Sequence, residues 1–571
     1  MNRLPLLALA SSALFLAACG NQEEELADTS TNPLLRYVPA DTPYVMANLE
    51  PVPADVVDAY LARMEPMLDD MQRTVTDLQR QIQMENQDFD SEEAKAVVEA
   101  VLAEFDGKLN RAGMESLGFS LEAMSAVYGH GLFPMARLGL GDPEKVRAMI
   151  ARVEAESGQS IPEENFQGTA YWRAGDPDEP MALYVAILDD HVAFGAAPRI
   201  LEGEFLPQLL GLQMPAESMA ESDALAVLNR DKGFVPYGSG YVDMSRVADE
   251  LFEADSTTAT WMTTLGAFDP AAIDPACERE FRLAATFVPR MVAGTTAVSA
   301  EDVGLRYQVE TSEWLGGQLA RLVADVPPAT RGTERMATAS MSLQMGRVRE
   351  FLLDSANAMA AVPFQCPQLQ QLNGQIQQLA ETMNQPMPPF IGNLKGFRAE
   401  LSSLDPSDPQ PENVRGLLSL EMESPQMVIG MASMMIPGFE NLEMKPGDDP
   451  VALPQELMTL ATPEFEAYAV MTEDAIGIAM GKDEADGLLP FLEASGDPEG
   501  VFFSVDYDGA ALAELQTRTA DWTQPGGQAP DAPAMDSAAL PDAYTEMLGR
   551  TRVEFRFDGQ GLTVDQSQTF R

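Results

Sequence analysis

A chain of 571 residues, 45% of them apolar, is long enough for two domains or more and rich enough in apolar side chains to fill real cores, which excludes a disordered stalk. Its 89 Asp and Glu stand against 36 Lys and Arg, a formal net charge of -53. Such a surface repels nucleic acid and anionic headgroups over at least a Debye length. Nucleic acid is thereby excluded as a partner of the free protein, and the excess is read as solubility in salty surroundings or as attraction for a cationic partner or divalent ions.

The chain opens on one basic residue, Arg3, and an apolar run from Leu4 that closes in Leu16, Ala17, Ala18, Cys19 and Gly20. The run is too short to cross a bilayer as a lasting helix, and a basic start, an apolar stretch and small residues at its end describe an export signal. Leu, two small residues and Cys together resemble the lipobox of bacterial lipoproteins. The resemblance implies a signal peptide over 1–18 cut before Cys19, with diacylation of the Cys19 sulfur and acylation of its amine, enough acyl carbon to hold the protein on a membrane. Gly20 stands where inner-membrane lipoproteins of enterobacteria carry Asp, so the resemblance further implies anchorage at the periplasmic face of the outer membrane of a Gram-negative cell. Residues 19–36 comprise the lipidated cysteine and a short acidic tether, which keeps the body near the membrane surface.

From Tyr37 the phrase RYVPADTPYVMANL reads as a turn and a strand, and PVPADVV as a helix start. Val57, Leu61, Met64, Leu68, Met71, Val75, Leu78 and Ile82 follow at alternating steps of four and three, a heptad seam that needs a partner helix. Ala94, Val98, Val101, Phe105 and Leu109 supply one, and the pair predicts an antiparallel helical hairpin. A strand is predicted over 132–140, with Asp142 capping the next helix and Pro143 in its first turn. MALYVAILDDHVAFGAAP reads as two strands about a turn at Asp189 and Asp190. A helix over 204–212, a strand and helix in GSGYVDMSRVADELFE, a helix from about Cys277, and a hairpin turning at Glu301 and Asp302 complete the first half.

The second half repeats this order. A strand and helix begin at Ala337, with Val348, Leu352, Ser355 and Met359 toward the core, and Leu369, Leu372, Ile376, Leu379 and Met383 form a second three-four seam. Ser424 and Pro425 take the roles of Asp142 and Pro143, and a hairpin turns at Glu473 and Asp474 before a helix. GVFFSVDYDGAALAEL matches the strand and helix from Gly240, and a last hairpin turns at Asp558 and Gly559. Five matched elements in one order predict an internal duplication, with a first copy over 37–325, a linker over 326–334 and a second copy over 335–571. The predicted fold class is α/β of the α+β type, with mixed or antiparallel sheets covered on one side by helices and helical hairpins. The body resembles uncharacterised duplicated envelope proteins whose first strand follows a Leu-Pro-Ala-Asp-Thr type phrase, here Val38, Pro39, Ala40, Asp41 and Thr42; that resemblance carries no function.

Beyond Cys19 the chain has Cys277 and Cys366, each just before a predicted helix. Export permits them to pair, the alternative being two separately buried thiols, and no CxxC spacing supports disulfide exchange. The two histidines, His130 and His191, lie far apart in sequence, so no histidine cluster offers a zinc or nucleophile-activating site, and both read as packing or surface residues. GxxxxGKS/T, GxSxG and HExxH are absent, and the glycines of GLGDP and YGSGY read as turns. Asp448 with Asp449, and Asp506 with Asp508, offer closely spaced oxygen ligands, yet neither has the twelve-position calcium loop and both read as loop or cap residues. Met427, Met431 and Met434 share one helical face, the pattern of a soft-metal site and equally of a core stripe.

No catalytic, cofactor-binding or metal residue is therefore assigned; the site residues are Cys19 for lipidation and the pair Cys277 and Cys366. The expected function is that of an outer-membrane-anchored periplasmic lipoprotein with a non-catalytic structural, assembly or protein-interaction role. Its partners are then the membrane, through the lipid, and another envelope protein. The alternative is a periplasmic binding protein for an apolar or cationic small ligand, and a hydrolase with an unrecognised site ranks third. A deep apolar pocket favours the small ligand; an exposed apolar stripe favours a protein partner.

Overall fold

A computed structural model describes residues 32–63, 92–108, 110–160, 162–175, 178–266, 272–331, 334–403, 414–435, 442, 444–454, 466–496, 498–511 and 547–571. Cys19 and the tether through residue 31 lie outside these, as do Met64 to Ile82 of the first seam and Leu109. Contacts divide the chain into two units, Met1–Ile273 with Pro289–Arg306, and Asp274–Val288 with Tyr307–Arg571. Both are α+β.

The first unit contains β1 (Tyr44–Ala47), β2 (Ser125–His130), β3 (Phe133–Gly139), β4 (Glu163–Phe166), β5 (Thr169–Ala174), β6 (Met181–Ile187), β7 (His191–Pro198), β8 (Ser239–Asp243), β9 (Arg290–Val298) and the start of β10 (Asp302–Glu310). Antiparallel pairing sets the order β4-β5-β6-β7-β3-β2-β1-β8-β9. The expected turns close as tight hairpins, with the Leu188 amide donating to the His191 carbonyl and the Ser299 amide to that of Asp302.

Alternation along β6 and β7 sends Ala182, Tyr184, Ala186, Ala193 and Ala197 to one face. There they join a core with Phe205, Leu206 and Leu209 of the helix Glu202–Leu209 and with Leu225 and Leu228 of the helix Ala224–Lys232. Full burial of Phe205, Leu206 and Leu209 is worth roughly 2 kcal/mol apiece. The intervening Val185, Ile187, Val192 and Phe194 form a second cluster with Val146, Met149 and Ile150 of the helix Pro143–Ser157. Helices thus cover both faces of this sheet and not one side, because these strands are apolar on both faces. Asp142 accepts the Glu144 and Lys145 amides at the start of Pro143–Ser157, as its spacing predicts. The helix Glu92–Phe105 lies along the same helix, where Arg152 binds both Glu104 carboxylate oxygens at 2.7 and 2.8 Å.

The second unit contains β11 (Ala337–Ser342), β12 (Leu394–Ser403), β13 (Arg415–Met422), β14 (Val451–Ala452), β15 (Ala467–Met471), β16 (Ala475–Met480), β17 (Val501–Asp508), β18 (Leu548–Asp558) and β19 (Gly561–Phe570). Their antiparallel order is β14-β15-β16-β13-β12-β11-β17-β18-β19. Through β18 this repeats β5-β6-β7-β3-β2-β1-β8-β9, strand for strand. The helices recur in the same connections among the described residues: helical segments between the first two strands, one helix after β3 or β13, and one after β7 or β16. The chain is internally duplicated.

Three local expectations change. The helices Met345–Ala361 and Gln370–Asn384 form the expected hairpin with Leu369, Leu372, Ile376, Leu379 and Met383 half-buried, yet Met359 is 40% exposed and outside the core. Ser424 sits at φ +58, a left-handed turn in which the Met427 amide donates to its carbonyl. The stretch 326–334 is no spacer: the Val326 amide donates to Ser342 Oγ, the Ala329 amide donates to Ser504 Oγ, and Arg552 Nη1 donates to the Ala329 carbonyl, so its described part straps the polar face of β11 and β17.

Candidate functional site: two polar clefts and an exposed aromatic patch

In each unit the helix after the hairpin rests directly on a glycine of the strand below. A Cβ on Gly195 would stand 2.4 Å from Phe205 Cζ, and one on Gly477 would stand 2.9 Å from Leu488 Cδ1, so only glycine admits the approach. A buried arginine meets the C-terminal carbonyls of each helix. Arg137 Nη2 donates to the carbonyls of Gln208 and Leu209 at 2.9 Å, and Arg398 Nη2 to that of Leu492 at 3.3 Å. A cation here opposes the negative end of the helix dipole and satisfies carbonyls without intrahelical partners.

The two arginines are neutralised differently. Arg137, 1% exposed, also donates to Tyr128 Oη at 3.0 Å, lies 4.0 Å above the Tyr37 ring, and binds His191 Nε2 at 2.7 Å. Arginine has no acceptor, so Nε2 must accept and Nδ1 carries the imidazole proton, which it donates to Asp190 Oδ1 at 2.5 Å. Burial holds His191 below the usual histidine range, since its protonation would place a cation against Arg137. Beside this group lies a cleft of about 670 Å³ bordered by the phrase Pro39, Ala40, Asp41 and Thr42 and by His130. Arg246 Nη1 fixes the phrase through the carbonyls of Ala40 (3.1 Å) and Thr42 (3.0 Å), and Thr42 Oγ1 accepts the Gly129 amide at 3.1 Å. His130 packs at 5.2 Å from the Trp261 ring and is pushed down to about 4 by burial. Glu250 accepts from the Thr258 amide (3.0 Å) and hydroxyl (2.8 Å). These charged and hydroxyl groups hold the fold.

In the second unit Arg398 is paired with a carboxylate. Its Nε and Nη2 donate to Glu421 Oε1 at 3.0 and 2.9 Å, Ser419 Oγ donates to the same oxygen at 2.8 Å, and the Phe491 ring lies 4.5 Å from the guanidinium carbon. The pair lines a cleft of about 520 Å³, together with Lys395 at 3.5 Å from Asp325 and 3.9 Å from Asp474.

Cys277 and Cys366 are joined by a disulfide with Cα atoms 4.5 Å apart. The helix Pro275–Phe287 that carries Cys277 belongs by its contacts to the second unit, so the bond closes within one unit while joining the late helix of the first sequence copy to the early helices of the second. Asp506 is buried, accepting from Arg550 Nε at 2.7 Å, and Asp508 accepts the Ala511 amide at 3.1 Å; arginine and a backbone cap occupy the oxygens that sequence offered to a cation. Asp448 and Asp449 are exposed in a turn, with the Asp448 amide donating to the Lys445 carbonyl. The methionine stripe is not core: Met427 is 43% and Met434 81% exposed, with Met431 half-buried. Among the described residues no three His, Cys, Asp or Glu side chains converge as metal ligands.

Sequence reasoning missed the Arg398–Glu421 pair, since a charged residue in a strand reads as outward-facing, and it missed an exposed patch. Leu283 (57% exposed) and Phe287 (38%) lie one turn apart on Pro275–Phe287, and Trp314 (60%) meets Phe287 edge-on at 6.0 Å. The four-residue step from Leu283 to Phe287, which puts both on one helix face, was the available signal. No protein family, curated protein sequence or solved structure matches this chain.

Proposed function

We propose that this protein is a lipid-anchored envelope protein, held through Cys19 at the periplasmic face of the outer membrane, that works by binding another protein and not by catalysis. The observation that carries the reading is the patch of Leu283, Phe287 and Trp314. It is exposed, aromatic and fixed: the disulfide pins its helix, Glu280 accepts the Gln365 and Cys366 amides at 2.7 and 3.2 Å, and the Ser312 amide donates to the Phe287 carbonyl. Rigid tryptophan and phenylalanine surfaces give binding energy at low ordering cost. With a net charge of -53 around it, the complementary face is an apolar protrusion ringed by Lys and Arg on an envelope protein. The disulfide supports export, and the polar lining of both clefts speaks against capture of an apolar molecule.

Mild crosslinking of intact envelopes, followed by purification of the lipidated chain, tests this. The wild type should retain a stoichiometric protein partner, and Trp314→Glu with Leu283→Glu should lose it at unchanged folding and anchorage. Equal recovery with that variant would overturn the assignment of the patch.

A further inference from the structure

The cleft beside Arg398 holds two buried charged groups that the fold has not fully used. Arg398 and Glu421 are 5% and 8% exposed, and both line the cleft. The bonds between them use Nε, Nη2 and Oε1, as do those from Ser419 and to Leu492. Arg398 Nη1 and Glu421 Oε2 are left without a partner among the described residues. This donor and acceptor face the cleft from side chains otherwise packed into the fold, so water or a ligand in the cleft is what pairs them. One cation and one anion standing side by side match the head of an α-amino acid, its carboxylate on Nη1 and its ammonium on Oε2.

The rest of the cleft selects the side chain. Asp325, Glu473, Asp474 and Glu493 line it against Lys395 alone, and the C-terminal end of the helix Lys482–Glu493, with its negative dipole, borders it. We infer that this cleft is a binding site for a free basic α-amino acid, with the zwitterionic head on Arg398 and Glu421 and the cationic side chain toward Glu473 and Asp474. A volume of about 520 Å³ accommodates such a molecule with ordered water. The site is separate from the aromatic patch, so it stands or falls independently of the protein-binding reading.

Calorimetric titration of the mature chain with L-arginine, L-lysine, agmatine and Nα-acetyl-L-arginine decides the matter. Arginine and lysine should saturate one site per chain. Agmatine, which lacks the carboxylate, and the acetyl compound, which lacks the ammonium, should bind at least about tenfold more weakly. Arg398 and Glu421 hold the fold, so the variant belongs at the rim: Glu473→Gln with Asp474→Asn should weaken arginine about tenfold at an unchanged unfolding midpoint. No saturable heat with arginine or lysine up to about 10 mM would overturn the inference. So would agmatine or the acetyl compound binding as well as arginine, or a rim variant that binds arginine as tightly as the wild type.

Discussion

Removing the bond between Cys277 and Cys366 should destabilise the second unit alone. The two cysteines are 89 residues apart, and the chain-entropy relation for a loop of that length gives about 4.6 kcal/mol at 25 °C. Native contacts around the bond remain: Glu280 still accepts the Gln365 and Cys366 amides, so the folded state keeps its local geometry while the unfolded chain gains freedom. Cys277→Ala with Cys366→Ala should therefore cost about 3–5 kcal/mol, the lower part of the range reflecting residual order in the unfolded chain. With a urea dependence of about 3 kcal/mol/M, the midpoint of the second unit falls by roughly 1.5 M. Fluorescence of Trp314 reports that transition, and Trp172 and Trp261 report the first unit, which should not move. Reduced wild type should coincide with the double variant. A shift in the second unit below about 0.3 M, or an equal shift in both units, would refute the reasoning.

Glu421→Ala should cost about 3–5 kcal/mol by stranding Arg398 in the core, whereas Arg398→Met with Glu421→Leu should recover most of it; chemical denaturation of the second unit measures both. Acid should loosen the first unit in two steps. His130 is neutral in the fold down to about 4 but protonates near 6.5 when unfolded, so its contribution is whole above pH 6.5 and is lost as pH falls to 4, up to roughly 3 kcal/mol. Glu104 is held at about 2 by the Arg152 and Lys108 bonds against an ordinary 4.5, so its share is whole above 4.5 and is lost as pH falls through 2. His130→Phe should flatten the upper step in denaturation midpoints taken across that window, and an unchanged slope would count against it. Cys19→Ala should abolish acylation and release the protein from outer-membrane vesicles, seen by fractionation and by the mass of the mature N-terminus.

The duplication was legible because hairpin turns and helix starts recur where apolar alternation breaks, as at Asp189–Asp190 and Glu473–Asp474. What sequence concealed follows from buried charge and short strands. β12 carries Lys395, Arg398 and Glu400, which reads as a solvated segment until Glu421 supplies a partner across the ladder. β2 is six residues long and ends at a glycine turn, and it is placed by pairing with β1 and β3 and by Thr42 bonding to Gly129, contacts that come from elsewhere in the chain. The second apolar face of β6 and β7 was hidden because both faces are apolar and the one-sided reading needs a polar face. The aromatic patch escaped notice because Phe287 and Trp314 stand far enough apart in sequence to belong to different predicted elements.

Photocrosslinking from position 314 tests the central claim most directly. A photoreactive amino acid replacing Trp314 in the lipidated chain, irradiated in intact envelopes, should yield one dominant protein adduct, absent when the same group replaces exposed Gln378. Crosslinks spread over many proteins, crosslinks only to lipid, or equal adducts from positions 314 and 378 would contradict it.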